Sequence, residues 1–291
     1  MLSELLQFLF SGITVGAIYA LVGLGFVLIY NASHVINFAQ GEFMMIGGMT
    51  TVSLVEAGVQ MPLAVAAAVG TGTLVGFALE KLAVEPARRA SVVTLIIITI
   101  GASILLRGLA QTVWDKKLHA LPPFTGDTPI IVAGATILPQ SLWILGVTGA
   151  IVLALRFFFA RTLLGKALIA TANNRDAAQL VGINVQFVLL LSFGLSAMLG
   201  AVAGILVAPI TFTAYDTGIM LGLKGFAAAM LGGLGSGPGA IIGGLLLGLA
   251  EAVGAGYLSS AYKDAISFVI ILVVLLFFPH GLLGAGSAER V

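Results

Sequence analysis

The sequence predicts an all-α polytopic membrane protein with eight or nine transmembrane helices, and three observations support this fold class. Apolar residues make up 59% of the 291 residues and charged residues only 9%, whereas an average soluble domain has roughly 25% charged residues. The mean hydropathy is +1.15. The apolar residues are grouped in runs long enough to cross a bilayer, so lipid would bury many of them.

Nine apolar runs are bounded by charged or turn-forming residues, and a spanning helix needs about 20 mostly apolar residues. The runs cover residues 6–30, 36–55, 62–84, 92–114, 142–159, 185–207, 221–234, 240–255 and 265–278. The seventh and eighth are shorter than a bilayer is thick, and the sequence between them is Gly-Ser-Gly-Pro-Gly. These two runs are therefore either tilted spans or a re-entrant pair shielded by neighbouring helices.

Composition and motifs exclude several classes of function. The net charge of +1 provides no basic field to hold nucleic acid. The chain has no cysteine, and its histidines (His34, His119 and His280) are too scattered for a zinc site. Gly165 and Lys166 lack the other residues of a phosphate-binding loop. We therefore expect no enzymatic activity, no bound cofactor and no hydrolysis of ATP by this chain itself.

The positions of Lys and Arg predict the orientation of the helices, because basic residues accumulate on the cytoplasmic side. With the N-terminus outside, the inner connections and their flanks contain Lys81, Arg88, Arg89, Arg156, Arg161, Lys166, Arg175 and Arg290. The outer set is Lys116, Lys117 and Lys263, with Arg107 near the outer end of its span. In the outer segment, turn residues followed by Ile130, Ile131 and Val132 predict a small external β-hairpin.

The order of the spans indicates an internal repeat within one transmembrane domain, residues 1–291. The predicted parts are a first repeat 1–114, an extracytoplasmic hairpin 115–140, a linking span 141–160, a cytoplasmic coupling loop 161–184 and a second repeat 185–291. One span, the linking span, crosses the membrane between the two repeats. The second repeat therefore starts on the opposite side of the membrane from the first, so the repeats have inverted topology. Inverted repeats are typical of transporters whose substrate path lies near the bilayer centre between the repeats.

Polar residues interrupt the second apolar run at Asn37, Gln40, Gly41 and Glu42. A carboxylate at this depth costs several kcal/mol unless it is paired or hydrated, so Glu42 is expected to face a cavity or a partner. Gly41 permits a helix break, which would point helix ends at a passing solute. The alternative is that Asn37 and Glu42 cap the inner helix end in the headgroup region. All four residues are candidates for the translocation path.

Two further charges lie within apolar runs of the second repeat, at Lys224 and Glu251. The position of Lys224 in the second repeat nearly matches the position of Glu42 in the first repeat. A specific hypothesis is therefore that Lys224 and Glu42 neutralise each other across the repeat axis. Glu251 is a third candidate for a buried charge, and the alternative is that it reaches the outer interface.

The coupling loop contains the signals of a helix of about two turns. Asn174 is suited to cap it, the charge of Asp176 suits its first turn, and Gly182 is suited to end it. The candidates for a coupling contact are Asn174, Arg175, Asp176, Ala177, Ala178, Gln179, Leu180 and Gly182. A helix this short needs a surface to lie on. That surface is either the lipid headgroups or a cytoplasmic protein, and the polar cluster favours the protein.

Three segments of the chain resemble one family of membrane proteins. Residues 19–48 contain NFAQGEF, residues 165–185 contain NRDAAQLVGINV, and residues 225–248 are rich in glycine. Together they resemble the permease subunits of branched-chain amino acid ABC importers of the LivH type, over effectively the whole chain. The C-terminal segment 277–284 is similar to the family's closing Arg-Pro-x-Gly-Leu pattern, but Phe278 stands where arginine is usual.

The resemblance implies an importer subunit for hydrophobic amino acids in the bacterial plasma (inner) membrane, with the C-terminus and the coupling loop in the cytoplasm. It implies a second, homologous permease as a heterodimer partner, two ATPase subunits that hold ATP and Mg, and an extracytoplasmic solute-binding protein. Residues 174–182 would dock in an ATPase cleft, and the solute would move by alternating access.

Three alternatives stay open at the level of sequence. A permease of the same family would carry urea, short amides or another small solute. An ion-coupled secondary transporter would have the same inverted repeat, and a structural membrane scaffold would transport nothing.

Overall fold

The computed structural model describes residues 2–257, 259–278 and 280–284, which are mostly helical. The helices are α1 (Leu2–Ser33), α2 (Gln40–Glu56), α3 (Met61–Leu79), α4 (Val92–Trp114), α5 (Pro139–Arg161), α6 (Leu163–Asn173), α7 (Arg175–Leu180), α8 (Val185–Thr211), α9 (Thr217–Gly232), α10 (Gly237–Tyr257) and α11 (Lys263–Phe277). A π-helical segment, Glu80–Val84, extends α3, and a 3-10 turn, Ser260–Tyr262, precedes α11. Two strands, β1 (Ile130–Val132) and β2 (Ala135–Ile137), precede α5.

Each of the nine predicted apolar runs corresponds to a helix, which confirms the helical fold class. Within the described residues, six helices are long and apolar enough to cross a bilayer: α1, α3 with its π-helical extension, α4, α5, α8 and α10. Helices α2, α9 and α11 have 17, 16 and 15 residues, and each is only about 25 Å long or shorter. The number of complete crossings therefore stays a prediction.

Helix α1 lies at the centre of the bundle, and residues 16–29 are all buried. Its glycines allow α10 to approach closely. A Cβ added to Gly12 would lie 2.8 Å from the Cα of Leu249, and one added to Gly16 would lie 2.8 Å from the Cα of Leu245. Residue numbers fall along α10 as they rise along α1, so the two helices are antiparallel. In lipid, such close packing supplies attraction that the hydrophobic effect does not.

Helix α8 is a second buried element and packs closely against α3. A Cβ added to Gly72 would lie 2.7 Å from the Cβ of Ala201, and Gly76 faces Ala197 in the same manner one turn away. Residue numbers fall along α8 as they rise along α3, so these two helices are antiparallel. The first helix of the predicted second repeat is thus embedded among helices of the first.

Helices α4 and α5 form outer faces of the bundle. Only 17% of the most apolar part of α4 and 11% of that of α5 are buried within the chain. The side chains of Ile104 and Leu105 in α4 and of Leu153 in α5 are 59%, 62% and 66% exposed. Continuous apolar faces of this kind are typical of surfaces that meet lipid or another protein.

The loop between α5 and α8 contains two helices rather than one. Asn174 caps α7 as the sequence predicts, because its Oδ1 accepts a hydrogen bond from the N–H of Ala177 at 2.9 Å. Gly182 follows α7 with φ of +88°, which is the left-handed conformation expected there. Helix α6, which precedes α7 and packs against it, was not predicted from the sequence.

The strand pair lies where the β-favouring run predicts it. The side chain of Gln7 in α1 fixes this hairpin, since it accepts a hydrogen bond from the N–H of Thr136 at 2.7 Å and donates one to its carbonyl at 3.1 Å. Arg290, which contributes to the predicted orientation, and Pro279 of the C-terminal segment 277–284 lie outside the described residues. The orientation of the chain in the membrane stays a prediction.

The α1–α10 contact yields a direct prediction for Gly16→Ala. The added Cβ would lie 2.8 Å from backbone of Leu245, and overpacking of this kind costs roughly 1–3 kcal/mol. Gly70→Ala is the matched control, because a Cβ added to Gly70 has no neighbouring atom within 4 Å. Thermal unfolding in one detergent should show a lower melting temperature for Gly16→Ala alone. Equal melting temperatures for the two variants would contradict the close packing.

Candidate functional site

The N-terminal turns of α2 and α9 cross in close backbone contact inside the bundle. A Cβ added to Gly41 would overlap the carbonyl oxygen of Gly218, and one added to Gly218 would overlap the carbonyl oxygen of Gly41. A Cβ on Gly222 would lie 2.9 Å from the Cα of Gly41. Only glycine permits this approach. The positive ends of two helix dipoles are therefore close together.

The predicted helix break at Gly41 is wrong. Helix α2 begins at Gln40 and continues through Gly41 to Glu56. The non-helical residues are 34–39, just before it. The apolar run that starts at residue 36 thus contains a turn followed by a helix start. Gly41 allows the contact with α9 rather than an interruption of α2.

Glu42 lies in the first turn of α2 and is only 2% exposed. The Ser103 hydroxyl donates a hydrogen bond to its Oε1 at 2.7 Å, and Arg107 Nε is 3.3 Å from the same oxygen. Among the described residues, neither the Oε2 of Glu42 nor the Nε–H of Arg107 has a hydrogen-bond partner. The site therefore holds a buried hydrogen-bond acceptor and a buried hydrogen-bond donor without partners. A ligand that forms hydrogen bonds with both would be favoured, because unpaired polar groups in the interior are costly.

Arg107 belongs to this site, although its position in the sequence was interpreted above only as an indication of membrane orientation. A signal for it was present. It is a lone cation in the apolar run 92–114 and follows Ser103 by four residues, so both lie on one face of α4. The predicted ion pair of Glu42 with Lys224 is wrong, because Glu42 is paired with Arg107 and Lys224 has other partners.

These residues line a cavity of about 150 Å³, which we call the central cavity. Its polar wall is Glu42, Ser103 and Arg107, its glycine wall is Gly41, Gly218 and Gly222, and its apolar wall is Phe26, Phe38, Ile100, Ile219, Leu223 and Phe226. The lining residues Ile100 of α4 and Ile219 of α9 are 41% and 38% exposed. The wall of the cavity between α4 and α9 therefore reaches the surface of the chain.

Asn37 and Gln40 lie nearby but outside the lining of the central cavity. The Oδ1 of Asn37 accepts a hydrogen bond from the N–H of Ala39 at 3.1 Å and shapes the turn before α2. Gln40 is fully buried, and its Nε2 donates to the carbonyl of Ser196 at 3.1 Å. Gln40 thus joins α2 to α8 and helps to hold Glu42 in position.

Lys224 and Glu251 belong to a second buried cluster. Lys224 Nζ is 2.7 Å from Glu251 Oε1 and 2.6 Å from Asp264 Oδ1. The hydroxyls of Tyr19 and Ser267 donate to Glu251 Oε2 at 2.9 and 3.1 Å. The cluster joins α1, α9, α10 and α11. The sequence analysis missed Asp264, which stood at the charged flank of the last apolar run.

This cluster borders a second cavity of about 390 Å³, which we call the charged cavity. Asp216 and Lys263 also line it, together with apolar side chains such as Ile18 and Met220. Lys224 and two hydroxyls bind the carboxylates of this cluster. In the central cavity, by contrast, Glu42 Oε2 and Arg107 Nε have no hydrogen-bond partner among the described residues. No group of three His, Asp or Glu residues suited to a metal ion occurs in the part of the chain that the structure describes.

The coupling candidates divide into buried and exposed residues around α7. Ala178 is buried, whereas Leu180 is 89% exposed and Asp176 and Gln179 are also exposed. Burial lowers the pKa of the Arg175 guanidinium, and the neighbouring Asp176 opposes this effect. Helix α6 supplies part of the surface on which α7 lies, and the exposed face of α7 is accessible to another molecule.

A comparison with known families places the chain among transport permeases. The family described as "Branched-chain amino acid transport system / permease component" matches residues 8–275. The chain belongs to this family. The resemblance carried by the three sequence segments is thereby confirmed. The family consists of permease components, which agrees with the six helices able to cross a membrane within the described residues.

Individual relatives and one solved structure agree with this assignment. The chain is 37% identical to the high-affinity branched-chain amino acid transport system permease protein LivH of Escherichia coli K12, covering 98% of this chain and 97% of the relative. It is 35% identical to BraD of Pseudomonas aeruginosa (98% of each chain) and 28% identical to the ribose import permease protein RbsC of E. coli K12 (92% and 84%). PsaBC from Streptococcus pneumoniae in complex with Fab has a TM-score of 0.51 at 15% identity, covering 94% of this chain and 95% of that one, and shows a shared fold.

The cluster around Lys224 predicts that Lys224→Met destabilises the protein. The change leaves Glu251 and Asp264 close together without their cation, and breaking a buried pair costs roughly 3–5 kcal/mol. Because Asp264 is 38% exposed, we expect a value near the lower end. Lys263→Met is the matched control, since Lys263 is exposed and lines the same cavity. Thermal unfolding in detergent measures the stability of both variants. An equal loss of stability in Lys224→Met and Lys263→Met would count against a structural role for the cluster.

Proposed function

We propose that the chain is the transmembrane permease subunit of an ATP-driven importer that moves branched-chain and other hydrophobic amino acids across the bacterial plasma (inner) membrane. The observation that carries this proposal is the central cavity, where an unused carboxylate oxygen and an unused guanidinium N–H lie beside apolar walls. Family membership and the names of the relatives at 35% and 37% identity support the substrate class.

A hydrophobic amino acid matches the central cavity in each of its parts. Glu42 would attract the ammonium group, and Arg107 with the two helix N-termini would attract the carboxylate. The aromatic rings of Phe26, Phe38 and Phe226 would contact the aliphatic side chain. The solute's charges would take over part of the Glu42–Arg107 interaction, which limits the cost of desolvation. Urea and short amides have no net charges with which to do this.

The path would open to one side at a time by movement about the Gly41–Gly218 crossing. The antiparallel pairing of α1 with α10 and of α3 with α8 supports two halves of inverted topology. In each half, the second helix begins at the crossing. Inverted repeats that rock about a fixed site near the bilayer centre account for alternating access in many transporters.

A second subunit would cover the opening of the central cavity between α4 and α9. Ionic groups that face lipid are expensive, and Glu42 and Arg107 line a cavity that opens between α4 and α9. A second, homologous permease in a heterodimer would cover this opening and complete the path. An extracytoplasmic solute-binding protein would deliver the solute to the pair.

Two ATPase subunits, which hold ATP and Mg, would drive the movement through α7. The exposed residues Asp176, Gln179 and Leu180 form the accessible face of this helix. The coupling loop and the C-terminus would then be cytoplasmic. The chain itself would bind no cofactor and would have no catalytic role.

The proposed solute site predicts the outcome of uptake measurements in cells that lack only this chain. Glu42→Gln and Arg107→Gln should each reduce labelled leucine uptake about tenfold or more, because a hydrogen bond to a charged group contributes roughly 1.5–3 kcal/mol. Glu56→Gln, at the exposed end of the same helix α2, is the matched control and should support normal uptake.

The same cells distinguish the alternative solutes and classes. Normal leucine uptake together with lost urea or ribose uptake would replace the proposed substrate. Leucine uptake that persists when no ATPase co-purifies with the tagged chain would favour an ion-coupled secondary transporter. Vesicles with the complete complex that accumulate no solute would indicate a scaffold.

The proposed docking of α7 predicts that Asp176→Ala with Leu180→Ala releases the ATPase subunits. Both side chains lie on the exposed face, so the protein should remain folded and inserted while co-purification of the ATPase falls. Lys166→Ala, an exposed change on α6, is the control. A helix that lies on lipid headgroups would instead lose its protection from a soluble labelling reagent, with ATPase co-purification unchanged.

A further inference from the structure

A pocket of about 680 Å³, which we call the basic pocket, lies apart from both cavities described above. Arg88 and Arg89 of the connection before α4 form one wall, and Arg175 of α7 forms another. Gln186 and Leu189 at the start of α8 complete it. The pocket therefore joins three segments that are distant in sequence, including the coupling helix.

The balance of charge in the basic pocket is positive. Three guanidinium groups line it and only one carboxylate, that of Asp176. Glu85 lies near but is already engaged, since its Oε2 is 2.7 Å from Lys81 Nζ and its Oε1 accepts a hydrogen bond from Gln186 at 2.6 Å. The three guanidinium groups therefore outnumber the carboxylates in the lining of the basic pocket, which favours an anion there.

One of these cations is partly withdrawn from water. The Nε of Arg175 is buried and has no hydrogen-bond partner among the described residues. Burial also lowers the pKa of this guanidinium, against the opposing charge of the neighbouring Asp176. A buried, unsatisfied donor at the edge of a positive pocket favours a ligand with oxygen acceptors. Planar guanidinium groups match phosphate oxygens particularly well.

The surface beside the basic pocket is apolar and exposed. Val92 and Val93, which follow the arginines at the start of α4, are 52% and 64% exposed. Ile97, one turn further along the helix, is also exposed. A ligand that fits both surfaces carries a phosphate and adjoining alkyl chains. Basic pockets between helices on the cytoplasmic side are typical sites for anionic lipid headgroups.

We propose that the basic pocket binds the headgroup of an anionic phospholipid, with the acyl chains along α4. The bound phosphate would connect Arg88 and Arg89 to Arg175 and so hold the coupling helix against the connection between α3 and α4. This inference rests on the proposed orientation of the chain in the membrane and not on the identity of the solute.

The test uses the full chain with its co-purifying subunits in phosphatidylcholine nanodiscs that contain phosphatidylglycerol. Bound phosphatidylglycerol is quantified by mass spectrometry over a range of lipid compositions. Arg88→Gln with Arg89→Gln should weaken its binding on the order of tenfold or more, because each basic residue near an anionic headgroup contributes about 1 kcal/mol. Arg156→Gln with Arg161→Gln, two exposed arginines on α5, is the control and should change it less than twofold.

A second variant and two further measurements complete the test. Arg88→Lys with Arg89→Lys retains the charge but not the planar guanidinium geometry, so it should bind phosphatidylglycerol more weakly than wild type but more tightly than the glutamine variant, which excludes a folding defect as the cause of the loss. Inorganic phosphate that protects the wild-type chain from thermal unfolding as well as phosphatidylglycerol does would overturn a lipid ligand. So would an equal loss of lipid in the α5 control. Unchanged lipid binding with lost ATPase co-purification in Arg88→Gln with Arg89→Gln would assign the pocket to a protein partner and overturn the proposal.

Discussion

The backbone contact between Gly41 and Gly218 is the constraint on which the rest of the structure depends. It places two helix starts at one point, and the residue after Gly41 is therefore directed towards α4, where Glu42 finds its partners. The same crossing brings Phe38 and Phe226 together, with ring centroids 5.8 Å apart. A single Cβ at either glycine would separate the helices and disperse the polar, glycine and aromatic walls of the central cavity.

The two buried charge clusters differ in how completely their groups are satisfied. Around Lys224, two carboxylates share one ammonium, and hydroxyls fill the remaining oxygen of Glu251. Around Glu42, one carboxylate oxygen and one guanidinium N–H stay open beside a cavity. In a low-dielectric interior, a satisfied cluster holds helices together, whereas an unsatisfied one favours a ligand that completes it. Burial alone does not distinguish these two roles, and the count of partners does.

Much of the fold could be predicted because its signals are local. Apolar runs gave the helices, and the capping of α7 by Asn174 depends only on neighbouring residues. The apolar surroundings also identified Glu42, Lys224 and Glu251 as buried charges. Their partners could not be predicted in the same way, because pairing depends on how each helix is rotated and on contacts between distant segments. Comparison of equivalent positions in the two repeats suggested Glu42 with Lys224, but helix packing gave each residue a nearer partner.

Helix packing also limits how the two halves can move. Helix α1 packs closely on α10 and α9, while α8 packs closely on α2 and α3. Each predicted repeat therefore contributes its first helix to the other, and these two helices, α1 and α8, also pack against each other. Glycine contacts such as those of Gly16 with Leu245 and of Gly72 with Ala201 leave no space for sliding along these seams. In the proposed alternating access, these seams would stay closed, so the bodies that move would not coincide with the two stretches of sequence 1–114 and 185–291. The crossing of α2 with α9 would then be the point where a small rotation changes access to the central cavity.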